Sequence, residues 1–220
     1  MKRKEFAVIG LGRFGGSVAR TLYGAGQSVL GIDKSEAKVQ ALSNHCTHVV
    51  QADATDEEVL RSLGLRNFDV VVVSIGNELE ASVLVTVMLK EMGVKQIVAK
   101  ASSEAHGKVL QRIGCDRVVF PEREMGVRLA RSLVTENLVD FIDLTPEVSI
   151  VEFAAGGKLI GEDLRSLGLR ARYGVTILAI RRESRVIVPP PATEKIRPGD
   201  VLVAIGTHKD LDRVEELAAE

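Results

Sequence analysis

The chain is 220 residues long and 45% hydrophobic, with 29 Lys and Arg against 30 Asp and Glu for a formal net charge of −1. That length holds one large domain, or a medium domain with a small one. The balanced charge and an aromatic content of 4% without Trp argue against gripping a phosphate backbone or stacking single-stranded bases, so no nucleic-acid partner is expected.

The apolar runs, such as 70–73, are far too short to span a bilayer. No signal-peptide core follows the opening MKRKEF, so a cytosolic chain is expected. Cys46 and Cys115 stand apart, without a CxxC pair or nearby histidine pairs, and are expected to be free and buried.

In chain order, Val- and Ile-rich runs alternate with amphipathic segments. Strands are expected over 6–10, 28–32, 48–51, 70–75, 96–100 and 117–120, and helices over 15–23, 36–43, 56–63, 78–91 and 104–113. The strand segments show little polar alternation, the pattern of parallel strands covered on both faces. Joined by helical crossovers, they predict an α/β, Rossmann-like doubly wound parallel sheet. Pro121 then opens a long helix expected over 122–138; proline suits a first turn, and Glu122 and Glu124 suit the positive end of the helix dipole. Met125, Leu129 and Leu133 form one stripe, and Val127, Ala130, Val134 and Leu138 another. A helix apolar on two faces is expected to be covered twice, here by a partner subunit or domain.

The texture changes near Asp140. Short apolar segments at 148–153, 175–180, 186–188 and 201–205 are separated by Gly- and Pro-rich turns such as PPPATEKIRPGD, which predicts a small, β-rich second domain. The expected domains are 1–139 and 140–220. LRSLGLR occurs at 60–66 and again at 164–170; each reads as a helix end closed by a left-handed glycine, Gly64 or Gly168.

Function is written most plainly in GLGRFG, residues 10–15. It ends a strand, opens a helix and begins a βαβ unit, the context a dinucleotide loop requires. Gly10 allows the tight turn, Gly12 lets the backbone approach a phosphate, and Gly15 lets helix and strand pack closely; the helix N-terminus favours the phosphate charge. Asp33, ending the second strand, can accept both hydroxyls of an adenosine ribose and would repel a 2′-phosphate. The alternative is a glycine turn used only for packing, with Asp33 capping the next helix. Asp53 borders the adenine side, or it or Thr55 caps the helix near Asp56. Ile75 and Gly76 follow the fourth strand, and Lys100 ends the fifth, either at the crevice or as a solvated lysine. Arg13 can pair bidentately with a phosphate, which suits ATP or ADP, or else lies over the surface. Glu122 either decorates a helix N-terminus or, beside a polyphosphate, holds a divalent cation through hard oxygen ligands; spacing alone favours the first. A dehydrogenase needs a substrate pocket and proton donor, but no Ser-His-Asp order, HExxH or Cys/His cluster is present.

Taken together, FAVIGLGRFGGSVA, VLGID, QADATDEEVLRSLGLRNFDVVVVSIG, MGVKQIVAKA, IGCDRVVFPEREMGVRLA and ARYGVTILAI with RPGDVLVAIG resemble the regulator-of-potassium-conductance (RCK) family of Ktr and Trk type, over essentially the whole chain. The resemblance implies an RCK_N domain followed by a small α+β RCK_C domain, and a ligand sensor rather than an enzyme. It implies a homo-octamer, a tetramer of dimers, docked at the inner face of the plasma membrane on a potassium channel subunit of the KtrB/TrkH type. ATP would favour the active ring and ADP the inactive one, and NAD(H) can bind the same pocket. Gly10, Gly12, Arg13, Phe14 and Gly15 match the family's phosphate loop and Asp33 its ribose acid. Asp53, Ala54, Ile75, Gly76 and Lys100 match other pocket positions, and Glu122 matches an acid that holds Ca2+ or Mg2+, which reverses the spacing-based preference for Glu122. Members of the family bind cyclic di-AMP in the second domain; Arg170 and Thr176 fall at matching positions, with Leu164 and the Pro190–Pro191 segment as apolar neighbours and Thr176 where an asparagine is expected. Outside the resemblance, the competing readings are an NAD-dependent oxidoreductase and a ligand-binding transcriptional regulator, the latter lacking a basic helix-turn-helix.

Overall fold

The computed structural model describes residues 3–76, 78–134 and 138–219. The chain divides into two compact units, 1–123 and 124–220.

In the first unit β1 (Glu5–Ile9), β2 (Ser28–Asp33), β3 (His48–Gln51), β4 (Val70–Val73), β5 (Ile97–Lys100) and β6 (Arg117–Val119) form one sheet in the order β3-β2-β1-β4-β5-β6. Every pairing is parallel, and the connections are α1 (Arg13–Gly24), α2 (Glu36–Leu42), α3 (Glu57–Ser62), α4 (Leu79–Glu91) and α5 (Glu104–Ile113). This is the doubly wound sheet the sequence predicts, reversing direction beside β1. Alternate residues of one strand go to opposite cores: Ala7, Ile9, Val71 and Val73 pack with Leu60, Val85, Leu89 and Leu110, while Val8, Val70 and Val72 pack with Ala19 and Leu42. Both faces are covered, so the strands carry no polar alternation. Each fully buried Val or Leu contributes about 1.5–3 kcal/mol of transfer free energy. The expected strand over 70–75 stops at Val73, where Ser74 and Ile75 turn out over the sheet edge.

The helix expected over 122–138 is α6 (Pro121–Val134); residues 135–137 lie outside the described residues. Leu138 does not continue the helix. It begins β7 (Leu138–Asp143), which pairs antiparallel with β8 (Val148–Ala154). The i to i+4 spacing of Val134 and Leu138 imitated a helical stripe across a change of element. Met125, Leu129 and Leu133 are all more than half exposed.

The second unit adds α7 (Leu164–Leu167), α8 (Leu169–Tyr173), β9 (Thr176–Arg182), β10 (Arg185–Ile187), β11 (Val201–Thr207) and α9 (His208–Ala219). Its antiparallel sheet has the order β10-β9-β11-β8-β7. Here burial alternates along β8 and β11, because one face lies on a core of Phe153, Leu159, Ile180, Leu202, Leu211 and Val214. Gly64 and Gly168 both take the left-handed conformation expected of the repeated heptapeptide, with φ 68° and 56°. Arg182 ties the Pro-rich strap to this sheet: Nε donates to Asp200 Oδ1 at 2.8 Å, Nη1 to Glu194 Oε1 at 2.9 Å and Nη2 to the Lys195 carbonyl at 2.9 Å. Cys46 is buried as expected, whereas Cys115 is only half-buried; both are free.

Candidate nucleotide-binding site

At the carboxyl edge of the parallel sheet lies a cleft of about 370 Å³. It is lined by Gly10, Gly12, Arg13, Phe14, Asp33, Asp53, Ala54, Ile75, Gly76, Lys100 and Glu122, and also by Lys34, Lys38, Thr55, Ser74 and Glu78. Of the first-domain residues expected at the nucleotide site, Gly15 alone does not line it. It sits beneath the loop, where a Cβ would lie 1.9 Å from the Gly10 carbonyl oxygen. Gly10 itself has φ +89°, and a Cβ there would meet the Ser74 carbonyl at 2.8 Å, so the turn requires glycine.

α1 differs from its neighbours in what its first turn lacks. α2, α3, α4 and α5 each carry an acid there, which satisfies the positive end of the dipole from within. α1 carries none, and its N-cap, Gly12, offers no side-chain acceptor. Its N-terminus therefore remains available to an external anion.

Asp33 is almost fully buried. Its Oδ2 accepts from Leu11 N at 2.7 Å and its Oδ1 from Ser35 N at 2.9 Å, while Lys38 Nζ lies 3.1 Å from Oδ2 and 3.3 Å from Oδ1. The carboxylate thus fastens the glycine loop to the residue before α2; it does not cap that helix, whose N-cap is Ser35 and whose first-turn amides take no side-chain cap. Asp53 does not cap α3. That task falls to Asp56, which accepts from Glu58 N at 2.9 Å. Asp53 instead accepts from the Thr55 hydroxyl at 2.7 Å and Thr55 N at 2.9 Å, and the Thr55 hydroxyl, then its amide, lower the Asp53 pKa.

At the other end of the cleft, Lys100 Nζ lies 2.5 Å from Glu122 Oε1. The Lys100 side chain is only 13% exposed and that of Glu122 is 67% exposed. The lysine is therefore not the solvated strand-end residue weighed from the sequence. Gly76 makes room for it, since a Cβ there would come within 3.3 Å of Lys100 Nζ. The Lys100 hydrogen bond, with a smaller contribution from the Arg13 charge, holds the Glu122 carboxyl below its ordinary value. Across the mouth, Lys34 Nζ lies 2.6 Å from Glu78 Oε1, which raises the lysine pKa. Lys34, Lys38 and Glu78 were not singled out from sequence. The run DKSEAK held the signal for the lysines, but a lysine on a short amphipathic helix reads as solvated until its neighbour is known.

The second-domain candidates are less concentrated. Leu164 opens α7 and Pro191 lies in the strap; Leu164 N donates to the Glu194 carbonyl at 3.3 Å and Arg165 N to the Ala192 carbonyl at 2.8 Å, which sets these segments side by side. Arg170 is exposed on α8 and Thr176 is half-buried at the start of β9. Among the described residues, no group of three or more His, Cys, Asp and Glu is placed to hold a metal ion, and no helix is long and apolar enough to cross a membrane.

The TrkA-N domain matches residues 6–121 and the TrkA-C domain residues 148–219. The chain is 48% identical over 214 residues to the Ktr system potassium uptake protein C of Bacillus subtilis (strain 168), covering 97% of each chain. It is 47% identical over 215 residues to the Ktr system potassium uptake protein A of the same organism, covering 98% of this chain and 97% of the relative. Among solved structures, the GsuK channel bound to NAD aligns with a TM-score of 0.69 at 19% identity, over 100% of this chain and 40% of that one. This chain thus spans less than half the length of that channel, and the likeness is one of fold.

Proposed function

The chain belongs to the TrkA family, with a TrkA-N domain followed by a TrkA-C domain, and from that premise we propose that it is the nucleotide-sensing regulatory subunit of a Ktr-type potassium uptake system. It works in the cytoplasm, against the inner face of the membrane, by gating a channel subunit of the KtrB/TrkH type. It is not an enzyme: the relatives at 47–48% identity are named as potassium uptake proteins, which sets the oxidoreductase reading aside. Residues 1–139 form the nucleotide-binding part and 140–220 the second ligand-binding and dimerisation part.

The observation that carries the proposal is the meeting of Arg13, Lys100 and Glu122 at one end of the cleft, beside the uncapped start of α1. ATP and ADP share their base, ribose and first two phosphates, so a site that separates them must read the third. Arg13 supplies a guanidinium fork for phosphate oxygens. The loop Gly10–Gly15 region supplies backbone donors, Asp33 accepts the ribose, and Asp53, Ala54, Ile75 and Gly76 flank the rest. NAD(H) shares the adenosine half and is a second ligand of the same cleft. A divalent cation, Ca2+ or Mg2+, fits only with help: among the described residues no group of three or more His, Cys, Asp and Glu could hold one, and the Glu122 carboxylate is already paired with Lys100. Such an ion would be held by Glu122 together with nucleotide phosphate oxygens, and would neutralise the charge between them.

The exposed apolar face of α6, with Met125 and Leu133, suits assembly into the octamer, a tetramer of dimers. In the second domain Leu164, Arg170, Thr176 and Pro191 form the proposed cyclic di-AMP contact, with Arg170 facing the phosphates.

Calorimetric titration of ATP and ADP into the wild-type chain and Arg13→Ala tests the switch. A hydrogen bond to a charged group is worth about 1.5–3 kcal/mol, so the ATP preference should fall about tenfold or more. An unchanged ATP/ADP ratio, with transport still gated by ATP, would overturn the proposal.

A further inference from the structure

Asp33 has no acceptor position to spare. A carboxylate offers about four lone-pair sites, and the amides of Leu11 and Ser35 take one on each oxygen while Lys38 Nζ reaches both. The two amides cannot leave without unmaking the glycine loop and the start of α2. Lys38 can leave: its side chain is 49% exposed, on a flexible four-carbon stem. A ribose diol that donates two hydrogen bonds to Asp33 therefore needs the oxygen positions that the ammonium holds.

We propose that Lys38 competes with the adenosine ribose for Asp33, and so sets how strongly the cleft prefers ribonucleotides. The inference rests on the reading of Asp33 as the ribose acceptor. Two placements support it. Lys38 lines the cleft itself, so its ammonium stands where a ligand arrives. Lys34, the other lysine at this strand end, is engaged by Glu78 at 2.6 Å, so Lys38 is the counter-ion that meets the buried carboxylate. An ionised acid this buried requires such compensation. The diol can take over because the two amides remain on Asp33 and the hydroxyls supply the missing donors.

The test is calorimetric titration of ATP and 2′,3′-dideoxy-ATP into the full chain as wild type, Lys38→Met, Lys38→Arg and Asp33→Asn, with thermal unfolding as the check on folding. Half-exposed ion pairs are worth up to about 1 kcal/mol, so Lys38→Met should raise the preference for ATP over the dideoxy nucleotide by up to about fivefold. Lys38→Arg should return it to the wild-type ratio. A Lys38→Met ratio that is unchanged, or that falls because the ammonium itself binds the ribose, overturns the inference. Asp33→Asn separates this failure from that of the underlying reading: loss of the ATP preference supports Asp33 as the ribose acceptor, and an unchanged preference overturns both.

Discussion

Replacing Gly15 by Ala would place a methyl carbon 1.9 Å from the Gly10 carbonyl oxygen and 3.0 Å from Ser74 Cβ and Oγ. Real Cβ contacts essentially never fall under 3.0 Å, so α1 must recede from the glycine loop by about 1 Å, an overpacking that costs about 1–3 kcal/mol. In a unit of this size each kcal/mol shifts the melting point by about 4 °C, so calorimetric melting should fall by about 4–12 °C. Gly12 three residues earlier behaves differently. A Cβ there meets nothing within 4 Å, and its φ of −68° is open to any residue, so Gly12→Ala should stay within about 0.5 kcal/mol of wild-type stability. Its methyl would instead occupy the surface where the backbone approaches phosphate. Loss of one charge-assisted hydrogen bond, about 1.5–3 kcal/mol, should weaken ATP by about tenfold or more in titration calorimetry. If Gly12→Ala melted as early as Gly15→Ala and still bound ATP like wild type, the loop would be a packing turn, and its assignment to phosphate would be wrong.

Two further outcomes follow from ionisable groups that are buried or half-buried. Burial, then the Asp212 charge, pushes Glu215 up to about 7 from 4.5; because the folded value is the higher one, stability is full below about pH 4.5 and is lost as pH rises through about 7. Glu215→Gln should therefore melt like wild type at pH 4.5 and be the more stable of the two at pH 8; an equal difference at both pH values would contradict the burial of the charge. The Cys115 thiol is pushed up to about 11, by burial and then by Asp116, and burial also raises Cys46. Neither should react with iodoacetamide at pH 8 in the folded chain, while both should in denaturant; rapid native alkylation read by mass spectrometry would refute this.

The parallel sheet was legible because burial on both faces leaves a one-dimensional trace, a run such as Val70–Val73 with no polar alternation. The glycine loop was legible because Gly10 and Gly15 answer to separate steric demands at the spacing of a dinucleotide loop. What escaped was whatever depended on partners distant in sequence. Leu138 extended a helical stripe on paper, but pairs with Phe153 as a strand residue. α9 is the exception: it was unread although Leu211, Val214 and Ala218 recur at helical spacing on its buried face, a signal that is local. Glu122 looked like dipole decoration from spacing alone, and only the resemblance raised it. Its contact with Lys100 spans 22 residues, from the end of β5 to the start of α6, and such a pairing has no local signature.

The same pairings bear on how the proposed sensor could discriminate. Asp33 is met by Lys38, Glu78 by Lys34 and Glu122 by Lys100. A nucleotide entering the cleft therefore exchanges ion pairs more than it creates them, and the net gain at each contact is a difference between two similar terms. At the ribose end that difference is common to ATP and ADP, so changes at Asp33 or Lys38 should move both affinities together and leave their ratio alone. At the Arg13, Lys100 and Glu122 end the proposed switch requires that it is not common, with the third phosphate meeting groups there that a diphosphate does not. A ligand shifts a conformational equilibrium only by its differential affinity for the two states, however tightly it binds. The ribose end can therefore set how much nucleotide is bound, and the phosphate end alone can set what the bound nucleotide does.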